Sequence, residues 1–238
     1  MDRFRLDKLV CDIFKVTRKQ AKSDILAGNI TVNDIVVRKS SEHFMATDKI
    51  ARLGIVGKYQ KYVYIMMNKP EGVLSATQDR HTKTAIDLLP MEMRQRDLFV
   101  AGRLDKNTTG FLLITNDGDF AHNILSPKKH VLKTYVAKLR EPIGSDAVER
   151  FAHGIKLSDF TCKPAQLEIM ELPYVKIKIT EGKFHQIKRM FGALGNEVLA
   201  LHRCCMGGLE LDPSLETGQA RYITESELEL LRGENNNE

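Results

Sequence analysis

The sequence predicts an α+β protein in two parts. A small N-terminal module of two helices and a short hairpin precedes a larger domain with a mixed, mostly antiparallel sheet flanked by helices. Three observations lead there. Leu6, Leu9, Val10 and Ile13 recur at helical spacing near the start. Further on, "YVKIKIT" alternates with period two, as a strand does when one face is packed and the other is wet or covered by charge. Strand and helix patterns then follow one another irregularly, with no repeat and no βαβ rhythm. The 238 residues suffice for one small and one medium domain.

After the first helix, Thr17 followed by Gln20 reads as a capping box, and Gly28 closes the second helix it opens. Ala21 and Ile25 share the inner face of that helix. Arg18 and Lys22 share another, with Lys19 beside them. "ITVN" and "DIVV" read as two short strands joined at Asn33 and Asp34. "GIVGKYQK", residues 54–61, has the glycines and polar spacing of a linker, which gives domain bounds of 1–57 and 62–238. "YVYIMMN" begins a new strand, ended by the turn-forming "KPEG". Strands are expected at 62–67, 111–115, 132–139, 166–171, 175–180 and 197–203. "HQIKRMFGALG" sets Ile187, Met190, Phe191 and Leu194 at helical spacing, with Gly195 as the stop. Thr224 and Glu227 form another capping box and open a final helix, and "GENNNE" is expected to fray.

The formal charge of +5 is unevenly spread. Residues 1–60 hold 12 Lys or Arg against 7 Asp or Glu, residues 61–222 hold 23 against 19, and residues 223–238 hold 1 against 5. The densest positive charge therefore lies in the N-terminal part, which suits a polyphosphate partner, although a solvated surface would carry the same charge. Cys11, Cys162, Cys204 and Cys205 show no framework spacing and read as reduced thiols. The start, "MDRFRLDKLV", has no apolar signal region, and "YVYIMM" is far too short to span a bilayer. A cytoplasmic protein without a membrane anchor is expected.

Phosphate-loop and dinucleotide-binding glycine patterns are absent, as are metal-ligand spacings and a G-x-S-x-G elbow. This argues against nucleotide hydrolysis, dehydrogenation, zinc chemistry and α/β-hydrolase chemistry. His202 near Cys204 reads as packing. Three segments combine rarer features. "GRLDKNTTG" puts Asp105 in a polar turn ahead of the apolar "FLLIT", where local rules make it an Asx-turn residue. "KTY" puts Tyr135 on a strand, where a half-buried residue is the simplest role. "EGKFHQIKRM" sets Lys188 and Arg189 near a helix N-terminus, where the dipole disfavours cations, so an anion nearby is expected. A carboxylate, a cation to hold it ionised and a tyrosine face able to stack on a flipped base would suit work on a nucleobase. Composition and spacing do not name the reaction.

With these segments in hand, the chain resembles a known family. "MNKPEGVLSAT", "AGRLDKNTTGFLLITNDGD", "KTYVAKL" and "EGKFHQIKRMFGALGNEVLALHR" are similar, in order, to motifs of the pseudouridine synthases of the small-subunit ribosomal RNA type, the RsuA family. "RLDKLVCDIFKVTRKQAKSDILAGNITVNDIVV" resembles the S-four RNA-binding domain that precedes their catalytic domain. The resemblance implies isomerisation of a uridine in RNA to pseudouridine, with no cofactor and no metal. Asp105 matches the essential aspartate, which acts at the ribose as nucleophile or as base. Tyr135 matches the aromatic that stacks on the target uracil and helps proton transfer at carbon 5. Lys188 matches the basic residue that pairs with the aspartate, and Arg103 an arginine that helps displace the target nucleotide. Lys69, His185 and Arg189 are expected to contact RNA, with Arg18, Lys19 and Lys22 as phosphate contacts of the N-terminal module. The implied partner is small-subunit ribosomal RNA, free or in an assembling particle, bound by a monomer. The implied target is one uridine of 16S RNA, uridine 516. A large-subunit uridine is the rival substrate, and a catalytically silent ribosome-assembly factor on the same fold is the rival function.

Overall fold

The computed structural model describes residues 3–94, 97–126, 129 and 131–232; the "GENNNE" tail lies outside them. The chain divides into two compact units, Met1–Tyr62 and Val63–Glu238.

In the first unit, β1 (Arg3–Arg5) leads into α1 (Leu6–Phe14) and α2 (Arg18–Ala27). Leu6, Leu9, Val10, Ala21 and Ile25 pack with Ile30, Val32 and Ile50 of the strands as its core. At the start of α2, Thr17 Oγ1 accepts a hydrogen bond from Gln20 N at 3.2 Å, and the Gln20 amide turns to Asp24 at 2.9 Å. Gly28 closes the helix at φ +82°. Asp7, buried in the first turn of α1, accepts hydrogen bonds from Arg5 and from Arg18. The Arg5 bonds, with help from Arg18, outweigh burial and hold its carboxyl at about 2.

β2 (Ile30–Val32), β3 (Ile35–Val36), β5 (Ile50–Arg52) and β6 (Ile55–Gly57) form a four-stranded sheet in the order β3-β2-β5-β6, and β4 (His43–Met45) pairs with β1. The turn between β2 and β3 uses the positive φ of Asn33 and Asp34, as a two-residue hairpin requires. The stretch expected as a linker is partly structured, because Ile55–Gly57 pairs with β5. Gly57 serves close packing: a Cβ there would lie 2.0 Å from Ile13 Cγ2.

The second unit is built on one sheet. Its path runs β11 (Gln166–Ile169), β12 (Tyr174–Ile179), β10 (Lys133–Leu139), β13 (Val198–Met206), β9 (Thr108–Thr115), β7 (Tyr64–Lys69) and β15 (Ala220–Tyr222). β8 (Phe99–Ala101) pairs with β9, and β14 (Leu209–Glu210) with β13. Among the described pairs of named strands, only β9 and β13 run parallel. The six expected strand segments all form. The three-residue strands β8 and β15 were not foreseen, because they are too short to show a period.

The central strands are covered on both faces, which explains their continuous apolar runs. Ile65, Met67, Leu112 and Ile114 pack on one face with α4 (Asp146–His153) and α5 (Gln186–Gly192). Met66, Phe111 and Leu113 pack on the other with α3 (Gly118–Leu125) and α6 (Glu225–Arg232). Near the edge, β12 keeps the expected alternation: Val175, Ile177 and Ile179 are buried, while Lys176 and Lys178 lie nearer water. The capping box of α6 is complete, with Thr224 N donating to Glu227 at 2.9 Å and Glu227 N to Thr224 Oγ1 at 3.4 Å.

Candidate active site

A cleft forms where the 102–108 loop, β10 and the start of α5 meet. Arg103, Asp105, Thr108, Tyr135, His185 and Lys188 line it. Asp105 sits in a turn and lines the cleft. Its backbone carbonyl accepts from Thr108 N at 3.0 Å and closes a turn, while its side chain, 28% exposed, faces His185, whose Nε2 lies 3.7 Å from Oδ1.

The loop is held from behind by three buried polar side chains. Lys69, at the end of β7, donates from its ammonium to the carbonyls of Pro70 (2.9 Å), Lys106 (3.1 Å) and Thr108 (2.9 Å). The Ser75 hydroxyl donates to the Leu104 carbonyl at 2.8 Å and accepts from Leu104 N at 3.0 Å. Arg203, on β13, donates to the carbonyls of Gly102 (2.9 Å) and Phe111 (2.8 Å) and lies 3.4 Å from the Tyr135 hydroxyl. Each of the three is 6% exposed or less. Asp105 therefore projects from a backbone fixed on both sides of it. Burial pushes the Lys69 ammonium down to about 8, against the opposing pull of the Asp105 and Glu71 carboxylates.

Gly110 makes the Arg203 contact possible. Its φ is +99°, and a Cβ there would lie 2.3 Å from the Arg203 carbonyl, so only glycine lets β9 and β13 approach this closely. Packing fixes the opposite wall. Ile187, Met190 and Phe191 bury one side of α5, and the Phe191 ring meets Phe151 of α4 at 5.0 Å between centroids.

The expected site residues separate into groups. Asp105, Tyr135, Lys188, Arg103 and His185 come together in the cleft. Tyr135 is 7% exposed, with its ring in the cleft wall. Three expectations need correction. Among the described residues, the basic side chain beside the Asp105 carboxylate is His185, at 3.7 Å, and not Lys188. A half-exposed carboxylate gains little from a long, hydrated lysine, whereas the left-handed backbone of His185, at φ +49°, sets its ring beside Asp105. Lys69 is no RNA contact, since it is wholly buried under the loop. Arg189 is tied to Asp159, the anion expected near this helix start, and lies over the Phe160 ring at 5.2 Å. In the first unit, Lys19 and Lys22 are exposed on α2, while Arg18 is partly engaged by Asp7 at 3.4 Å. Ser75 and Arg203 were missed. For Arg203 the signal was parity with buried Leu201 two residues before it on the same strand.

Residues 63–193, more than half of the chain, match the RNA pseudouridylate synthase family, and residues 4–50 match the S4 domain. The ribosomal small subunit pseudouridine synthase A of Vibrio cholerae is 44% identical over 94% of this chain and 97% of its own length. That of Escherichia coli (strain K12) is 38% identical over 94% and 98%. The uncharacterized RNA pseudouridine synthase YtzG of Bacillus subtilis is 42% identical over 95% and 98%. A solved pseudouridylate synthase structure aligns with a TM-score of 0.67 at 37% identity, covering 96% of this chain and 99% of that one. The chain belongs to the RNA pseudouridylate synthases, an isomerase family, and carries an S4 domain in its N-terminal unit.

Proposed function

We propose that the protein isomerises one uridine of 16S ribosomal RNA, uridine 516, with Asp105 as the catalytic carboxylate. The observation that carries this reading is the placement of Asp105. It stands in a cleft with Tyr135, while three buried polar side chains fix the backbone on either side of it. Relatives named ribosomal small subunit pseudouridine synthase A support the choice of RNA.

The reaction is balanced within the substrate. The bond from uracil nitrogen 1 to the ribose breaks, the base turns, and carbon 5 takes its place. One proton leaves carbon 5 and nitrogen 1 gains one, so no oxidant or reductant is required. Asp105 acts at the ribose, where positive charge develops as the glycosidic bond opens. Tyr135 offers its ring to the flipped uracil and its hydroxyl, beside Arg203, to the proton transfer at carbon 5. Arg103 helps displace the nucleotide, and Lys188 supplies positive charge to the substrate in the cleft. Lys19 and Lys22, with Arg18, neutralise phosphates of neighbouring RNA. The protein acts as a cytoplasmic monomer on free 16S RNA or an assembling small-subunit particle. No helix of the described residues is long and apolar enough to cross a membrane.

Carbodiimide mapping of ribosomal RNA from cells with and without the gene tests the reading. Loss of one 16S pseudouridine is expected, restored by the wild-type gene and not by Asp105→Asn, with RNA affinity of that variant within about twofold. A lost site in 23S RNA would move the substrate to the large subunit. No lost site would leave a silent assembly factor.

A further inference from the structure

The loop that opens α5 carries an exposed aromatic ring. Phe184 is 75% exposed, more than any other aromatic side chain among the described residues. Its ring is stacked on the imidazole of His185, with centroids 3.8 Å apart and planes at 17°. His185 in turn reaches Asp105, its Nε2 3.7 Å from the carboxylate. Phe184 therefore stands one imidazole away from the catalytic carboxylate.

Two costs are left standing here. A phenyl ring in water forgoes the burial that every neighbouring apolar side chain of α5 obtains. His185 holds a left-handed φ of +49°, which non-glycine residues rarely adopt. Strain of this kind concentrates where a side chain must be aimed. The backbone aims the imidazole so that one side meets the Phe184 ring and its Nε2 meets Asp105. The other face of the Phe184 ring remains open.

What covers that face follows from the chemistry of the cleft. A nucleotide extruded from a stack leaves its neighbours without a partner, and an aromatic side chain replaces that partner at little cost in sequence preference. Arg103, Lys183 and Lys188 line the same cleft, so its surroundings suit the backbone that carries such a base. We propose that Phe184 and His185 form a stacking platform for the base adjacent to the target uridine. The proposal rests on the reading of the chain as an RNA pseudouridine synthase. It adds a binding subsite beside the reacting base.

The test measures binding of a small-subunit ribosomal RNA fragment that contains the target uridine. Phe184→Ala, Phe184→Leu and Phe184→Tyr are compared with wild type. The fragments are intact, or abasic at the nucleotide on the 5′ or on the 3′ side of the target. Phe184→Ala and Phe184→Leu are expected to bind the intact fragment about tenfold more weakly, and Phe184→Tyr within about twofold of wild type. At saturating RNA, kcat should stay within about twofold. On one of the two abasic fragments the penalty of Phe184→Ala should vanish, because the partner is already gone. The leucine variant keeps apolar bulk beside His185, so a misplaced histidine cannot imitate loss of the ring. Wild-type affinity in the alanine and leucine variants, or the full penalty on both abasic fragments, would overturn the platform. Pseudouridine formation by wild type is scored in the same mixtures. Its absence would sink the isomerase reading, while the affinities still report on the platform.

Discussion

The cleft of the larger unit and helix α2 of the smaller one both hold charged side chains, but by opposite means. Around Asp105, the carbonyls of Gly102, Leu104, Lys106 and Thr108 each accept a hydrogen bond from a buried side chain. On α2, Lys19 and Lys22 stand in water above a buried face of Ala21, Asp24 and Ile25. The difference follows from what each is proposed to do. Rearranging a glycosidic bond depends on placement finer than about 1 Å. Neutralising a phosphate depends on charge at a tolerant distance. Damage to the cleft's supports should therefore appear in kcat, and damage to α2 in affinity and salt dependence.

Arg203→Met is expected to do the most harm. Methionine fills part of the volume but donates nothing, so the Gly102 and Phe111 carbonyls lose their buried donor. Urea unfolding should show a loss of about 3 kcal/mol. Single-turnover kinetics should show kcat reduced about 100-fold or more, with RNA affinity near wild type. Weakened RNA binding with normal kcat would break the division between the two regions.

Lys69→Met should come next, and it adds a pH dependence. Its three carbonyls lose their donor, but a buried charge is also removed, so the net loss is expected at about 2 kcal/mol. The folded chain releases the Lys69 proton near 8, while the unfolded chain holds it to about 10.5. Between those values the unfolded state binds more protons, so stability rises with pH. Lys133, also pushed down to about 8 by burial, contributes a similar rise. The stability curve of Lys69→Met should therefore rise less steeply with pH than that of wild type across that window. An unchanged slope would mean that Lys69 does not titrate there.

The supports of the cleft were the least legible part of the chain. "FLLIT", "YVKIKIT" and the Thr224 capping box announce themselves through period and spacing, and the structure follows them. Asp105 and Tyr135 read locally as a turn residue and a half-buried strand residue, and only the family motifs that contain them singled them out. Lys69, Ser75 and Arg203 bond mainly to backbone groups, which every residue has, so no partner residue marks them in the sequence. Lys69 could still have been read by parity, since Ile65 and Met67 place it on the inner face of β7. Lys188 and Arg189 show the other limit. Which residue near a helix start reaches a given group depends on the entry angle, and the left-handed His185, not Lys188, lies beside Asp105.

The smallest expected effects belong to α2, and they sharpen the comparison. Lys19→Ala and Lys22→Ala should each leave stability within about 0.5 kcal/mol of wild type and kcat unchanged. Each should lower RNA affinity and reduce the slope of log affinity against log salt by about 0.7 to 0.9. Arg18 lies between the two regimes, because its guanidinium is exposed yet bonds the buried carboxylate of Asp7 at 3.4 Å. Arg18→Ala should produce the same change in salt slope and also a stability loss of about 1 kcal/mol, with Arg5 remaining as the partner of Asp7. If Arg18→Ala cost stability without changing the salt slope, Arg18 would be a support like Lys69. The phosphate contacts on α2 would then reduce to the two lysines.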